Sequence, residues 1–306
     1  MHKRIVVVGS INLDLVATSS HIPSPGQTVF GTDFQTFLGG KGANQAVAAA
    51  RLGAPVTMIG RVGEDAFGAK LIEGLRAAGA QADCVATTPG SSGIALIVTD
   101  AQGENSIVVI PGANSQLSPA DLEKYDDVLK NAGIILTQLE IPLETVEFLA
   151  DRARKHDVPL ILDPAPARAL PSELLAKFEW LTPNQTEATI LCGTATDSLQ
   201  SGQVAELLQE HGAQNVLLKL GAKGALLKQG VQPTIHVAGF SVQAVDATAA
   251  GDAFNGAFAY GLLAGKSVKD SAQFANAVAA ISVTRRGAQS SMPDLSEVQA
   301  FLTRRS

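Results

Sequence analysis

The chain is poor in the features that build disulfide frameworks, membrane spans and nucleic-acid grips. It has two cysteines, Cys84 and Cys192, with no paired spacing. Neither a zinc site nor a disulfide framework is expected, and a reducing compartment, the cytoplasm, fits. No apolar run approaches the roughly 20 residues of a transmembrane helix. Residues 1–8 start like a signal peptide, but the apolar part is short and is soon interrupted by Asn12 and Asp14. They read instead as a first buried strand. Basic residues do not dominate: 23 Lys and Arg face 29 Asp and Glu, a net charge of −6. Nothing argues for nucleic acid, and a nucleotide partner needs a local pocket of donors. The Gly-x-x-x-x-Gly-Lys-Ser/Thr phosphate loop is missing. So is the dinucleotide fingerprint, since no Gly-x-Gly-x-x-Gly comes after Gly9, which weakens an oxidoreductase reading. Repeats, low-complexity tracts and an interdomain linker are lacking too.

What is present is apolar bulk. Of 306 residues, 46% are hydrophobic and 17% charged, enough for a large α/β core. Residues 4–9 read as a core strand that is apolar on both faces. Further strands are expected at 56–60, 133–138, 158–162, 178–181, 215–219 and 225–228. Helices are expected at 41–53, 66–78, 143–156, 171–177, 185–191 and 200–211. This alternation predicts a mostly parallel sheet with helices on both faces, in one domain over 1–306. Two stretches break it. Residues 13–38 carry short pieces split by Pro23, Pro25 and Gly26, and residues 92–110 read as a hairpin turning near Gly103. Together they predict a small β-sheet lid over the carboxyl edge, able to exclude water.

The most informative stretch is 246–258. Ala249, Ala250 and Gly251 carry almost no side chain, Asp252 comes next, and apolar residues then recur at helical spacing through Phe254, Ala257, Phe258 and Leu262. A tight turn into a buried helix presents backbone N–H groups and a positive dipole end to an anion. A carboxylate beside that cradle suits phosphoryl transfer. Gly39-Gly-Lys-Gly-Ala-Asn44 opens another helix, with Lys41 and Asn44 as polar groups. Asn12 and Asp14 lie just after the first strand, two residues apart, on one face of extended chain. An amide and a carboxylate so placed can bind adjacent sugar hydroxyls. Gln138 and Glu140, Asp163, and Asn184 with Glu187 also stand after strands. The last pair reads either as a capping box or as a group holding magnesium through water.

These motifs, in this order from about residue 4 to 303, resemble the ribokinase family of sugar kinases. Gly39 to Ala49 resembles its first signature, Asp246 to Asp252 its anion-hole motif, and Asn184-x-x-Glu187 its magnesium motif. Gly9 to Asp14 and Val283 to Pro293 also fit. The resemblance implies an α/β sandwich with a β-sheet lid, commonly dimerising through the lids. It implies transfer of the ATP γ-phosphate to the 5-hydroxyl of D-ribose, the alternatives being a kinase for deoxyribose, another pentose or a nucleoside, or a non-catalytic sugar-binding regulator. By carry-over, Asn12, Asp14, Gly39, Gly40, Lys41, Asn44 and Glu140 hold the sugar, and Asp252 is the base. Ala249, Ala250 and Gly251 form the anion hole. Asn184, Lys219, Gly221, Gly224, Gly251 and Asn276 meet ATP, and Glu187 organises Mg2+. Asp246, Thr248, Ser282, Arg285, Gly287 and Ser291 match a site for K+, several through carbonyls. Position 247 is Ala where the motif usually has Thr, position 249 is Ala where many members have Gly, and Lys219 stands where a hydroxyl residue is also seen.

Overall fold

The computed structural model describes residues 3–305 except 101, 103, 195, 197 and 198. Its strands are β1 (Arg4–Val8), β2 (Asn12–Ser19), β3 (Gly31–Gly39), β4 (Val56–Gly63), β5 (Ala80–Thr88), β6 (Gly93–Thr99), β7 (Asn105–Ile110), β8 (Ala132–Thr137), β9 (Leu160–Leu162), β10 (Trp180–Leu181), β11 (Asn215–Lys219), β12 (Gly224–Gln229) and β13 (Ile235–Ala238). Nine of them form one sheet in the order β13-β12-β11-β10-β9-β8-β1-β4-β5. It is parallel from β5 to β11, and the hairpin β12–β13 adds an antiparallel edge.

The core strands are apolar on both faces because both are covered. In β1, Ile5 and Val7 enter one core cluster and Val6 and Val8 the other. Helices α1 (Lys41–Arg51), α2 (Gly68–Ala77), α9 (Ala250–Leu263), α10 (Val268–Ser282) and α11 (Leu295–Thr303) cover the first face. The second carries α3 (Pro119–Lys124), α4 (Asp126–Lys130), α5 (Leu143–Lys155), α6 (Ser172–Leu175), α7 (Gln185–Cys192) and α8 (Ser201–Glu210). Phe258 of α9 is fully buried and meets Trp180 edge to face, ring centroids 5.4 Å apart, which seats α9 on the sheet.

The two irregular insertions do make a second sheet, in the order β3-β2-β6-β7. Its first strand, β2, starts four residues after the carboxyl end of β1, so the lid hangs from the edge where ligands bind in such folds. The hairpin β6–β7 forms as its sequence predicts. The Asp100 carboxylate accepts from the N–H groups of Gln102 and Glu104 at 2.9 Å each. Gly103, on which the predicted turn was centred, lies outside the described residues.

Several elements were not visible in the sequence. Edge strand β5 alternates polar and small residues, and α10 and α11 carry much of their apolar surface as alanine or as scattered side chains. The first helix stops at Arg51 rather than 53, because the chain turns at Gly53, φ +92°.

Candidate active site

The carboxyl ends of β1, β8, β9, β10 and β11 each release a polar residue toward the same place. They deliver Ser10, Glu140, Asp163, Asn184 and Lys219, and the N-termini of α1 and α9 close the site from the other layer.

The glycines at the start of α1 let backbone segments approach closely. A Cβ on Gly40 (φ +87°) would stand 2.6 Å from the Asn12 nitrogen, and one on Gly42 would stand 2.7 Å from the backbone of Gly9 and Ser10. At Gly39 it would strike the Asp14 carboxylate. Their smallness lets α1 dock against the Gly9–Asn12 turn and gives Asp14 its space. Glu140 accepts from the Ser10 hydroxyl and, at 3.3 Å, from the Lys41 backbone N–H. Asn12 is 4% exposed, and its Oδ1 accepts from the Asn114 amide at 2.7 Å. Asn114 also accepts from the Ile11 N–H, so it clamps the start of the lid strand.

Asp252, in the first turn of α9, is 5% exposed. It accepts from Asn44 Nδ2 at 2.9 Å and from Gln45 Nε2 at 3.2 Å. The other end of the Asn44 amide, Oδ1, is buried without a partner. A buried acceptor left open costs free energy unless something completes it, which marks a place for a ligand hydroxyl.

The electrostatics arise from crowding acids away from water. Burial, then the charges of Glu140 and Asp252, push the Asp14 carboxyl up to about 7. Burial also raises Asp252, against the opposing pull of Lys41. For Lys41, burial favours the neutral amine, but Asp252, Asp163, Glu140 and Glu187 outweigh it and hold the ammonium above its usual range. Burial raises Glu187 as well, with Lys219 opposing. No direct ion pair binds the Lys41 ammonium among the described residues, so it stands as an uncommitted cation amid carboxylates.

The segment matched to the anion-hole motif lies at the start of α9. Ala249 is in the left-handed region, φ +58°, and turns the chain so that the helix begins at Ala250. The Ala250 N–H donates to the Ala247 carbonyl at 3.2 Å. Those of Ala249 and Gly251 make no hydrogen bond within the described protein and remain available. A Cβ on Gly251 would meet only the Lys219 ammonium, at 3.5 Å, so this face is open. Beside it lies a cleft of about 540 Å³ lined by Lys219, Gly221, Gly224, Gly251, Phe254 and Asn276. Every residue expected to meet a nucleotide lines it except Asn184. Asn276 also donates to the Val237 carbonyl at 3.0 Å, which ties α10 to β13 and shapes the wall.

Asn184 and Glu187 form a complete capping box on α7, with each side chain bonded to the other's backbone at 2.8 and 2.7 Å. No group of three acidic, histidine or cysteine side chains is placed to ligate a metal among the described residues. A carboxylate and an amide oxygen side by side on α7 fit an ion that keeps most of its water, as magnesium does.

Of the residues matched to a monovalent site, the structure joins Asp246, Thr248 and Gly287. The Asp246 carboxylate accepts from both N–H groups at 2.9 and 2.8 Å. Arg285 turns its side chain to Glu297, and the Ser282 and Ser291 hydroxyls donate to nearby carbonyls. Arg285 could serve an ion only through its carbonyl, whereas Ser282 and Ser291 keep carbonyl and hydroxyl oxygens for one.

Sequence reasoning missed two supports, Gln45 and Asn114. Gln45 lies inside a quoted motif, next to Asn44. Asn114 sits in a Pro-Gly-Ala-Asn turn just after the lid hairpin, and that turn was its one available signal.

The comparisons with known proteins agree with this geometry. Residues 2–295 match the family model described as pfkB family carbohydrate kinase. A ribokinase of Bacillus subtilis is 43% identical over 302 residues, covering 98% of this chain and all of that one. A deoxyribokinase of Salmonella typhi is 39% identical, with 98% of each covered. The structure of an Arabidopsis thaliana ribokinase complexed with ribose and ATP superimposes with a TM-score of 0.93 at 36% identity, covering 99% of each chain. With a family match over almost its whole length and close relatives end to end, the chain belongs to the pfkB family of carbohydrate kinases.

Proposed function

We propose that the protein transfers the γ-phosphate of ATP to the 5-hydroxyl of D-ribose, giving D-ribose 5-phosphate. The observation that carries the reading is Asp252: a buried carboxylate fixed by Asn44 and Gln45, one residue after free anion-hole N–H groups, with the Asn44 Oδ1 still open. Asn12, Asp14, Gly39, Gly40, Lys41, Asn44 and Glu140 hold the sugar. Asp252 accepts the proton of the attacking hydroxyl as the new bond forms. The free N–H groups of Ala249 and Gly251 and the Lys41 ammonium stabilise charge on the transferring group, while the Ala250 N–H holds the turn. A weak base suffices, because proton removal can come late in a loose transition state. Lys219, Gly221, Gly224 and Asn276 receive the nucleotide. Magnesium, when bound, neutralises phosphate charge, and Asn184 and Glu187 would organise it through water.

The relative named as a deoxyribokinase favours a second reading, 2-deoxyribose as substrate. Asn12 discriminates: a buried amide built for a hydroxyl is left unpaired when that hydroxyl is missing. A regulator that only binds sugar has no need of Asp252 beside free N–H donors. Turnover with ribose, deoxyribose, fructose and nucleosides tests the assignment. Ribose leading the panel supports it, and deoxyribose leading overturns it.

The same reading assigns K+ as an activator held near Asp246, Thr248 and the 282–291 carbonyls, and it places the protein in the cytoplasm, where ATP is made. It also gives a homodimer through the lids. Ile107 and Val109 are apolar residues on one face of β7, both open to solvent, and a second copy of the same sheet would cover them.

A further inference from the structure

A chain of side-chain amides runs from the base to Gln138, the residue that directly follows β8. Gln138 Nε2 donates to Gln45 Oε1 at 2.7 Å. Gln45 Nε2 in turn donates to Asp163 Oδ2 at 2.9 Å and to Asp252 Oδ1 at 3.2 Å. Both glutamines are fully buried, and so, nearly, are the two acids. An amide has a donor end and an acceptor end, and only the donor end suits a place between two carboxylates. Turned over, Gln45 would set its carbonyl against both acids and lose two charge-assisted bonds. Gln138 opposes that turn, because its own donor faces the Gln45 carbonyl. The outer end of the chain, Gln138 Oε1, is buried without a partner among the described residues. It fits only because Gly9 has no side chain, since a Cβ there would strike it. The fold thus accepts the cost of an open buried acceptor in the side chain whose other end orients Gln45.

We propose that Gln138 is a positioning residue for the transfer reaction: by orienting the Gln45 amide it keeps a hydrogen-bond donor on the carboxylate of Asp252. This rests on the reading of Asp252 as the base and goes beyond it, because Gln138 acts at one remove, through Gln45. The need for the donor comes from the charges around Asp252. Burial pushes its carboxyl up, Lys41 opposes, and Asp163 and Glu140 add to the rise. Asp14 is crowded by the same charges. A base that already carries a proton cannot take one from the sugar hydroxyl. Each donor held on the ionised form lowers the pH at which the base becomes available. Asn44 supplies one such donor to Oδ2, and Gln45 supplies the other to Oδ1. The Gln45 amide also lies between two acids, with a donor on each, and Asp163 keeps its own cation, Lys219, at 2.8 Å.

Turnover to ribose 5-phosphate across pH 5 to 9 in the parent, Gln138→Met, Gln45→Met and the double variant tests this, with melting curves and ribose affinity on the same samples. Loss of one charge-assisted bond predicts that Gln45→Met moves the acid limb of the profile up by about one pH unit. Gln138→Met keeps Gln45 but frees its amide to turn, so its limb should move the same way. Both should approach the parental rate at pH 9, with ribose affinity little changed. Because Gln138 acts through Gln45, the double variant should shift no further than Gln45→Met alone. A parental profile in Gln138→Met would overturn the proposal. So would a loss equal at every pH, which is the mark of a side chain that only packs. Summed shifts in the double variant would give Gln138 a separate role and overturn the relay. Should Gln138→Met not fold, Gln138→Asn keeps an amide too short to reach Gln45, and the same shift is expected of it. If the parent forms no ribose 5-phosphate at any pH, the assigned reaction has failed instead.

Discussion

Asp252 and Asp14 show how single side chains are tuned by where the chain places them. Asp252→Asn keeps the shape and the Asn44 contact but removes the proton acceptor. Its turnover should fall about 100- to 10,000-fold with the melting temperature little changed. Asp14 makes a sharper case because its carboxyl is pushed up to about 7, first by burial. A raised carboxyl binds its proton more tightly in the folded chain than in the unfolded one. Stability from this group is therefore present below the usual carboxylate range and declines as pH rises toward 7. Asp14→Asn should melt higher than the parent at pH 8, by a margin that shrinks at pH 4, while losing affinity for the sugar. Equal melting temperatures at both pH values would contradict the assignment. Activity of the parent should rise from pH 5 to 8 as Asp14 and Asp252 ionise. Residues of this kind were legible because each sits in a short motif: Asn12 and Asp14 after the first strand, Lys41 and Asn44 among glycines, Asp252 after small residues. Gln45 and Asn114 were not legible as supports, since their bonds join residues 207 and 102 positions apart in sequence. No local pattern encodes such a reach.

At the scale of elements, helix starts carry the site. The N-terminus of α1 depends on its backbone nesting against the Gly9–Ser10 turn. Gly42→Ala puts a Cβ 2.7 Å from that backbone. It should destabilise the fold by roughly 1–3 kcal/mol and weaken sugar binding as α1 shifts. A melting curve with a ribose titration on the same sample checks both. For α7, the capping box on Asn184 and Glu187 was expected from sequence as one of two readings, and the bonds are present. The metal role is separable. Glu187→Ala should raise the magnesium needed for half-maximal activity, beyond a cap loss of about 1 kcal/mol in stability. An unchanged magnesium midpoint with that stability loss would leave only the cap. Strands and helices with strong apolar runs were legible, whereas β5 and α10 were not. β5 is held as an edge strand paired on β4, and alanine-rich α10 through its packing against α9. Both signals exist only once the tertiary partner is in position.

For the whole molecule, the alternating pattern and the two interruptions were enough to give the sheet and the lid. The exposed apolar residues of the lid were not singled out by the sequence, because β7 is apolar toward both faces: Ile107, Val108 and Val109 are 51%, 59% and 50% exposed. A second copy covering the face that carries Ile107 and Val109 predicts a dimer by sedimentation, and Ile107→Asp with Val109→Asp should shift the protein toward monomer. The segments matched to a monovalent-ion site join distant parts as well, since the Asp246 carboxylate accepts from the Gly287 N–H. Potassium should therefore raise turnover above sodium and above a bulky organic cation at one ionic strength. Equal rates in all three would remove that site. The central claim is that Asp252 drives phosphate transfer from ATP to ribose rather than merely shaping a sugar pocket. Its most direct test is a single-turnover measurement of ribose 5-phosphate formation in the parent and in Asp252→Asn, with ribose affinity measured on both proteins. Ribose affinity should be similar in the two, and the transfer rate should be lower by at least about 100-fold in the variant. Transfer in Asp252→Asn at close to the parental rate would contradict the claim.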